Sequence, residues 1–184
     1  IASCLVGSEM CIRDRRVVVV SSGDPGVFAM AAAVFEAAEG WPGALPPIRV
    51  LPGITAMLAA AARAGAPLGH DFCAINLSDN LKPWTLIETR LRAALAGDFA
   101  IALYNPRSAA RPAGFGRALA ILREGAAPDR LITFARAVST PQESIRTVTL
   151  AEAQEDMADM RTLVIVGSST TRRVGPWVYT PRGV

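Results

Sequence analysis

Four consecutive valines, Val17–Val20, are followed after two serines by a Gly-Asp-Pro-Gly loop. An unbroken β-branched run is typical of a strand that is buried on both faces of a parallel α/β sheet. Because ligands of such sheets bind beyond the carboxyl ends of the strands, the loop is a candidate binding site. Gly23 and Gly26 permit a tight turn, and Asp24 can accept hydrogen bonds from a hydroxyl or an ammonium group. The alternative is an ordinary strand-to-helix turn in which Asp24 caps a helix that starts near Val27.

The same order of elements then repeats. An alanine-rich helix is predicted over Val27–Glu39, a second strand over Ile48–Leu51 and a second helix over Ala56–Ala64. This βαβα pattern indicates right-handed crossovers and brings the loops at Ser22–Gly26 and Pro52–Ala56 to one edge of a sheet. One ligand is therefore expected to contact both loops.

The pattern changes after Ala66. Five strands are predicted at wider spacing, over residues 71–77, 99–104, 131–135, 144–150 and 162–166. Helices are predicted over Pro83–Ala96 and Phe115–Leu122. In the first of these helices, four large apolar side chains follow three- and four-residue steps and are expected in the core: Trp84, Ile87, Leu91 and Leu95.

These patterns predict an α/β protein with two domains. The segment Ala66–Gly69 is the best linker, which assigns residues 16–66 to a first domain and residues 67–184 to a second. Two strands cannot form a stable sheet alone, so either a partner or further sequence ahead of Arg16 is expected to complete the first sheet. Residues 1–15 show no structural period and resemble a translated sequencing adaptor. They are interpreted as a non-native leader.

Composition argues against several classes of protein. No apolar run approaches the roughly 20 residues of a membrane span. The 19 basic and 16 acidic residues are interspersed, with a net charge of +3, which does not favour a nucleic-acid-binding protein. Cys4, Cys11 and Cys73 have neither metal-ligand spacing nor a disulfide framework. We therefore expect no metal site and a cytoplasmic protein.

Polar loops follow several of the predicted strands, and one of them is Tyr104–Ser108. Polarity alone is typical of solvated loops. Four longer stretches, however, resemble one family over about Arg16 to Arg173: SSGDPGVFAMAAAVFE, LPGITAMLAAAARAGAPLGHDFCAINLSDNLKPW, IALYNPRSAAR and DMRTLVIVGSSTTR. They are similar to the tetrapyrrole methylase family. The Gly-Asp-Pro and Pro-Gly-Ile-Thr turns are shared across that family, whereas LSDNLKPW and LYNPRS resemble the members that act on precorrin-3B.

The resemblance implies the two-domain fold of the class III methyltransferases, with an incomplete parallel sheet in the first domain and a mixed five-stranded sheet in the second. It implies a homodimer that binds S-adenosylmethionine between its domains. Eight residues match donor-binding positions of the family: Ser22, Gly23, Asp24, Val27, Thr55, Ala56, Asn105 and Ser139. The implied reaction is methylation of precorrin-3B at carbon 17, with ring contraction to precorrin-4, in cobalamin synthesis. Methylation of another precorrin or of uroporphyrinogen is the alternative.

Family members open with a strand and a GxGPG loop that this sequence lacks, so we expect an N-terminally truncated chain whose own activity is in doubt. Methyl transfer depends on alignment more than on acid–base groups, and no catalytic residue is assigned. His70, the only histidine, is a weak candidate acid or base, with a structural role as the alternative. Lys82, Arg107 and Arg111 are candidates for binding substrate carboxylates, although each alone is typical of a solvated surface.

Two other classes of function remain open at this point. A nucleotide- or phosphate-binding α/β protein would use the Ser22–Gly26 loop at a helix N-terminus, although neither GxGxxG nor GxxxxGK[ST] occurs. A noncatalytic interaction domain would bind neither a methyl donor nor a tetrapyrrole.

Overall fold

The computed structural model describes residues 17–183, which divide into two compact units at Thr55. Unit 1 comprises residues 17–55 and unit 2 comprises residues 56–183. The predicted leader at 1–15 lies outside the described residues. The helix that follows Thr55 packs within unit 2, so the division falls earlier along the chain than the predicted linker. The domain boundary at residue 66 stays a prediction.

Unit 1 contains one helix, α1 (Met30–Glu39). It begins at Met30 rather than at Val27 because Phe28, with a φ of 52°, adopts the left-handed conformation and interrupts the helical path. Gly40 follows the last turn. No residue of α1 is buried, so within unit 1 this helix has no core beneath it.

The two strands predicted in unit 1 are wrong. Val17–Val20 and Ile48–Leu51 are not in a sheet, and the four valines are between 54% and 86% exposed. A strand exists only when its backbone groups pair with a neighbour, and no segment within residues 17–55 provides one. The valine run has the composition of a strand, but no sheet forms within residues 17–55.

Unit 2 contains three α-helices, a short 3-10 helix and eight strands. The helices are α2 (Ala56–Ala64), α3 (Trp84–Ala96) and α4 (Gly114–Gly125), and the 3-10 helix covers Glu155–Met157. The strands are β1 (Gly65–Ala66), β2 (Phe72–Asn76), β3 (Ala100–Tyr104), β4 (Leu131–Arg136), β5 (Ser144–Thr149), β6 (Thr162–Val166), β7 (Arg172–Val174) and β8 (Trp177–Tyr179). All five predicted strands form, as β2 to β6.

Strands β2 to β6 form a mixed sheet in the order β2-β3-β6-β4-β5, which confirms the predicted five-stranded sheet. β2 and β3 are parallel, and β6 is antiparallel to both of its neighbours, β3 and β4. β2, β3 and β4 therefore point in one direction. We call the end of the sheet where these three strands finish, with the loops 77–83, 105–113 and 137–143 that follow them, the carboxyl edge.

The core lies on both faces of this sheet. Along β6, Val164 and Val166 face the cluster beneath α3 and α4, whereas Leu163 and Ile165 face α2. The alternation follows from the two-residue period of a strand. The four side chains predicted to anchor α3 are buried: Trp84, Ile87, Leu91 and Leu95. Burying each such side chain stabilises the fold by roughly 1.5–3 kcal/mol.

A second sheet, in the order β1-β8-β7, was not predicted. Ala66 pairs with Tyr179, and its carbonyl oxygen accepts a hydrogen bond from the Thr180 N–H at 3.0 Å. The Thr180 hydroxyl donates to the Pro67 carbonyl oxygen at 2.6 Å. Part of the predicted linker is therefore a paired strand. No helix within residues 17–183 combines the length and the hydropathy that a bilayer crossing requires.

Candidate functional site

In unit 1 the carboxylate of Asp24 joins the two loops that the sequence predicted to share a ligand. Its Oδ1 accepts a hydrogen bond from the Gly26 N–H at 2.8 Å, and its Oδ2 accepts one from the Gly53 N–H at 3.0 Å. Asp24 does not cap α1, because the residue at the N-cap is Ala29 and no side chain caps this helix. A carboxylate offers about four acceptor positions, which is more than these two bonds use.

Glycine is required where these loops meet. Gly23 has a φ of 70°, which residues with a side chain rarely adopt. A Cβ added at Gly53 would collide with the carbonyl oxygen of Gly23. The two loops therefore pack backbone against backbone. The exposed backbone of Ser22 and Gly23 leaves room for a ligand, as a donor-binding loop requires.

The other donor-binding candidates of unit 1 belong to the same pair of loops. The N–H of Val27 donates to the Asp24 carbonyl oxygen at 3.2 Å, and Val27 is half-buried. Thr55, at the end of the second loop, is 4% exposed. Unit 1 thus brings together Ser22, Gly23, Asp24, Val27 and the loop that ends at Thr55.

In unit 2 a pair of asparagines stands at the carboxyl edge. Asn76 ends β2 and Asn105 follows β3, and the Asn105 side-chain nitrogen donates to Asn76 Oδ1 at 3.0 Å. Asn105 has a φ of 52°, which asparagine tolerates better than most residues. Sequence reasoning singled out Asn105 but missed Asn76, because their pairing depends on the register of β2 against β3.

The helix that Ala56 begins is hydrogen-bonded to Tyr104, the residue before Asn105. The Tyr104 hydroxyl accepts a hydrogen bond from the Met57 N–H at 3.1 Å, in the first turn of α2. The first amide groups of a helix have no partner within the helix, so this hydroxyl satisfies one of them. Tyr104 directly precedes Asn105, and the start of α2 is thereby held at the carboxyl edge. The only sequence signal for this role was the position of Tyr104 at the end of a strand.

Ser139 lies in the loop after β4 and is exposed. Its backbone N–H donates to Glu143 Oε2 at 2.6 Å, and Glu143 also pairs with Arg63 at 3.2 Å. Because β6 alone separates β3 from β4, Ser139 and Asn105 follow strands about 10 Å apart. The N–H of Ser139 is already committed, so a ligand contact of this residue uses its hydroxyl or its carbonyl group.

The three basic candidates for substrate binding also reach the carboxyl edge. Arg111 Nε lies 3.8 Å from Asp79 Oδ1, and Arg107 Nε donates to the Pro112 carbonyl oxygen at 3.2 Å. Lys82 belongs to the loop after β2. Partial burial, followed by the positive charge of Arg90, lowers the pKa of Lys82. An anion beside Lys82 would relieve both effects.

His70 stands apart from this group. It precedes β2, whereas Asn76 ends that strand, so the length of β2 separates them by about 16 Å. Its Nδ1 lies 3.8 Å from Asp71 Oδ2, and both side chains are exposed. Unit 2 does not bring His70 together with Asn105, Ser139 or the basic candidates.

Known proteins resemble the chain over most of its length. The chain is 53% identical over 174 residues to a precorrin-3B C(17)-methyltransferase of Sinorhizobium sp, which covers 91% of this chain and 68% of that protein. It is 38% identical over 183 residues to a probable cobalt-factor III C(17)-methyltransferase of Salmonella typhimurium, which covers 100% of this chain and 76% of that protein. The chain therefore spans between about two thirds and three quarters of their length.

Solved structures also resemble the chain over most of its length. The methyltransferase CobJ matches with a TM-score of 0.89 at 70% identity, over 91% of this chain and 70% of that one. A uroporphyrin-III C-methyl transferase of Thermus thermophilus, complexed with S-adenosyl homocysteine, matches in fold alone, with a TM-score of 0.54 at 24% identity over 79% of this chain and 62% of that one. The family model for tetrapyrrole (corrin/porphyrin) methylases matches residues 2–154. The chain therefore belongs to the tetrapyrrole methylase family.

Proposed function

We propose that the protein to which this chain belongs transfers a methyl group from S-adenosylmethionine to carbon 17 of precorrin-3B, with ring contraction to precorrin-4, in cobalamin synthesis. The observation that carries the proposal is the carboxylate of Asp24, which fastens one glycine loop to the other in a chain of the methylase family. The relative that methylates precorrin-3B at this carbon is 53% identical, which favours this substrate among those of the family.

The residues that we propose for donor binding belong to both units. In unit 1, Ser22, Gly23 and Asp24 offer backbone groups and a carboxylate, together with Val27 and Thr55. In unit 2, Ala56, Asn105 and Ser139 offer a helix start, an amide and a hydroxyl.

Bound S-adenosylmethionine supplies an activated methyl group on a positively charged sulfur. The protein's own contribution is to bind and orient the two reactants and to exclude water, because alignment accounts for much of the rate in such a displacement. Side chains that would transfer protons are not needed for the methyl transfer itself. The residues that handle protons during ring contraction stay unassigned, and the position of His70 gives it no support.

The substrate side uses Lys82, Arg107 and Arg111. A tetrapyrrole of this pathway carries many carboxylates, and arginine pairs with a carboxylate through two parallel hydrogen bonds. Lys82 is partly buried beside the positive charge of Arg90, and a substrate carboxylate would offset the effect of that charge. We also propose that the protein acts as a homodimer in the cytoplasm, as the family resemblance implies.

A second candidate function is methylation of the cobalt-containing substrate at the same carbon. It is supported by the relative that is named for cobalt-factor III and is 38% identical. The lower identity makes it the second choice. Measuring methylation of precorrin-3B and of the cobalt-containing substrate by the same enzyme distinguishes the two reactions.

The test is calorimetric titration of the chain with S-adenosylhomocysteine, ATP and NAD. We expect the chain to bind S-adenosylhomocysteine and to bind neither ATP nor NAD. Asp24→Ala should weaken that binding by roughly tenfold or more, since it removes two hydrogen bonds to a charged group and separates the loops. Asp129→Asn, at an exposed position outside the site, is the matched control and should bind as the wild type does. Unchanged affinity in a folded Asp24→Ala protein, or preference for ATP or NAD, would reject the proposal.

A further inference from the structure

Asn76 Oδ1 accepts two hydrogen bonds at the carboxyl edge. One comes from the backbone N–H of Ser78 at 2.9 Å and the other from the side-chain nitrogen of Asn105 at 3.0 Å. All three residues are partly buried. Asn76 therefore connects the loop after β2 to the loop after β3.

These two bonds settle which way both amides face. A backbone N–H can only donate, so the atom of Asn76 that faces Ser78 is the carbonyl oxygen and not the amide nitrogen. The same oxygen can only accept, so Asn105 must turn its NH₂ group toward Asn76. Asn105 Oδ1 consequently points away from Asn76, as an acceptor. The orientation of Asn105 is thus determined by Ser78 through Asn76.

The backbone beneath this pair is fixed as well. Asn76 and Tyr104 are partners in the β2–β3 ladder, and the Leu77 N–H donates to the Tyr104 carbonyl oxygen at 2.9 Å. Asn105 has a left-handed backbone conformation, and this conformation sets the direction in which its side chain leaves the backbone. A side chain held in both backbone and amide orientation loses little freedom when it binds a ligand.

We propose that Asn76 is a positioning residue, which orients the Asn105 amide so that Asn105 Oδ1 accepts a hydrogen bond from the methyl donor. This inference rests on the proposed function, because it takes Asn105 to be part of the donor site. Since Asn105 Oδ1 only accepts, the group of the ligand that it recognises is an N–H or O–H donor. S-adenosylmethionine offers an ammonium group, an adenine amino group and two ribose hydroxyls.

The experiment compares three variants of the whole chain. Asn76→Ala removes the acceptor, Asn76→Asp keeps an oxygen that accepts both bonds, and Asn80→Ala changes an exposed asparagine of the same loop as the control. Affinity for S-adenosylhomocysteine is measured by calorimetry, and the side-chain amide resonances of Asn105 are followed by NMR without ligand. We expect Asn76→Ala to shift those resonances and to weaken binding about fivefold to tenfold, because the partly buried hydrogen bond that orients Asn105 is lost. Asn76→Asp and Asn80→Ala should stay within about twofold of the wild type.

Asn105→Asp is a second test that leaves the bond between Asn76 and Ser78 in place. It puts an oxygen opposite Asn76 Oδ1, so the same loss of affinity is expected. Unmoved Asn105 resonances in Asn76→Ala, or wild-type affinity in that variant, would overturn the positioning role. Weak binding by Asn76→Asp with native Asn105 resonances would also overturn it. A wild-type chain that does not bind S-adenosylhomocysteine refutes the proposed function and the ligand contact, whereas the resonances still decide the orientation.

Discussion

At the scale of residues, the contact between the two glycine loops of unit 1 depends on two glycines and one carboxylate. Sequence reasoning identified Gly23 and Asp24 from their place after an apolar run, and the two loops that it placed together are in contact, although not at the edge of a sheet. It did not find that Asp24 binds the Gly53 N–H, because a contact between residues 29 positions apart leaves no local pattern. The same holds for Asn76 and Asn105, which only the strand register brings together.

Gly53→Ala is predicted to damage the donor site although it adds one methyl group. The new Cβ would collide with the Gly23 carbonyl oxygen, and that atom is backbone and cannot rotate away. Overpacking of this kind costs about 1–3 kcal/mol, so affinity for S-adenosylhomocysteine should fall roughly fivefold to a hundredfold in calorimetry. Gly40→Ala is the matched control, because nothing lies within 4 Å of its added Cβ. Equal affinities of the two variants would show that the loops do not need this contact.

At the scale of elements, the five strands of the larger sheet were predictable and the smaller sheet was not. β3 and β6 are runs of mostly apolar, buried residues bounded by polar turns, and such runs can be recognised in a sequence. β1 has two residues and β7 and β8 have three each, so pairing alone makes them strands. The opposite error was made at Val17–Val20. The composition of this segment suits a strand, but no neighbouring strand within residues 17–55 pairs with it.

The turn between α3 and β3 gives the larger sheet a pH-sensitive contact. Asp98, with a φ of 51°, accepts hydrogen bonds from the Ser169 N–H at 2.9 Å and lies 2.9 Å from Arg130. Burial acts to raise the pKa of Asp98, but the bonds from Ser169 and the charge of Arg130 together lower it. Asp98 therefore stabilises the fold above the ordinary aspartate pKa of about 3.9, and this contribution disappears as the pH falls through the lower pKa of the folded state.

Asp98→Asn is accordingly predicted to lower the melting temperature at pH 7 by about 1–3 °C, because solvent screens a carboxylate that is 41% exposed and limits the loss to at most about 1 kcal/mol. At pH 2 the difference from the wild type should be smaller, because the wild-type carboxyl group loses its charge as the pH falls through its lowered folded-state pKa. Thermal unfolding followed by circular dichroism at both pH values measures this. Asp156→Asn, at an exposed site without such partners among the contacts described, should unfold as the wild type does at each pH. A difference between Asp98→Asn and wild type that persists unchanged at pH 2 would contradict the assignment.

At the scale of the whole molecule, the two units differ in how much apolar surface they bury. Unit 2 has a core on both faces of its sheet, with β6 buried at every position. Unit 1 keeps large apolar side chains exposed: Val17–Val20, Phe28, Met30, Phe35, Trp41, Leu45, Ile48, Val50, Leu51 and Ile54. Since buried apolar area is the main source of stability, the free energy of local opening should be much lower in unit 1 than in unit 2.

Amide hydrogen exchange of the intact chain tests this difference. Amides of β3 and β6 should exchange only through global unfolding, whereas those of α1, which buries no side chain, should exchange within seconds to minutes. Saturating S-adenosylhomocysteine should slow exchange at Gly26 and Gly53, whose N–H groups bind Asp24, because a ligand that binds only the closed loops stabilises them by mass action. α3 serves as an internal reference, as a helix whose inner face is buried. If α1 exchanged as slowly as α3 without ligand, the apolar surface of unit 1 would have to be covered in solution, and its low stability would be disproved.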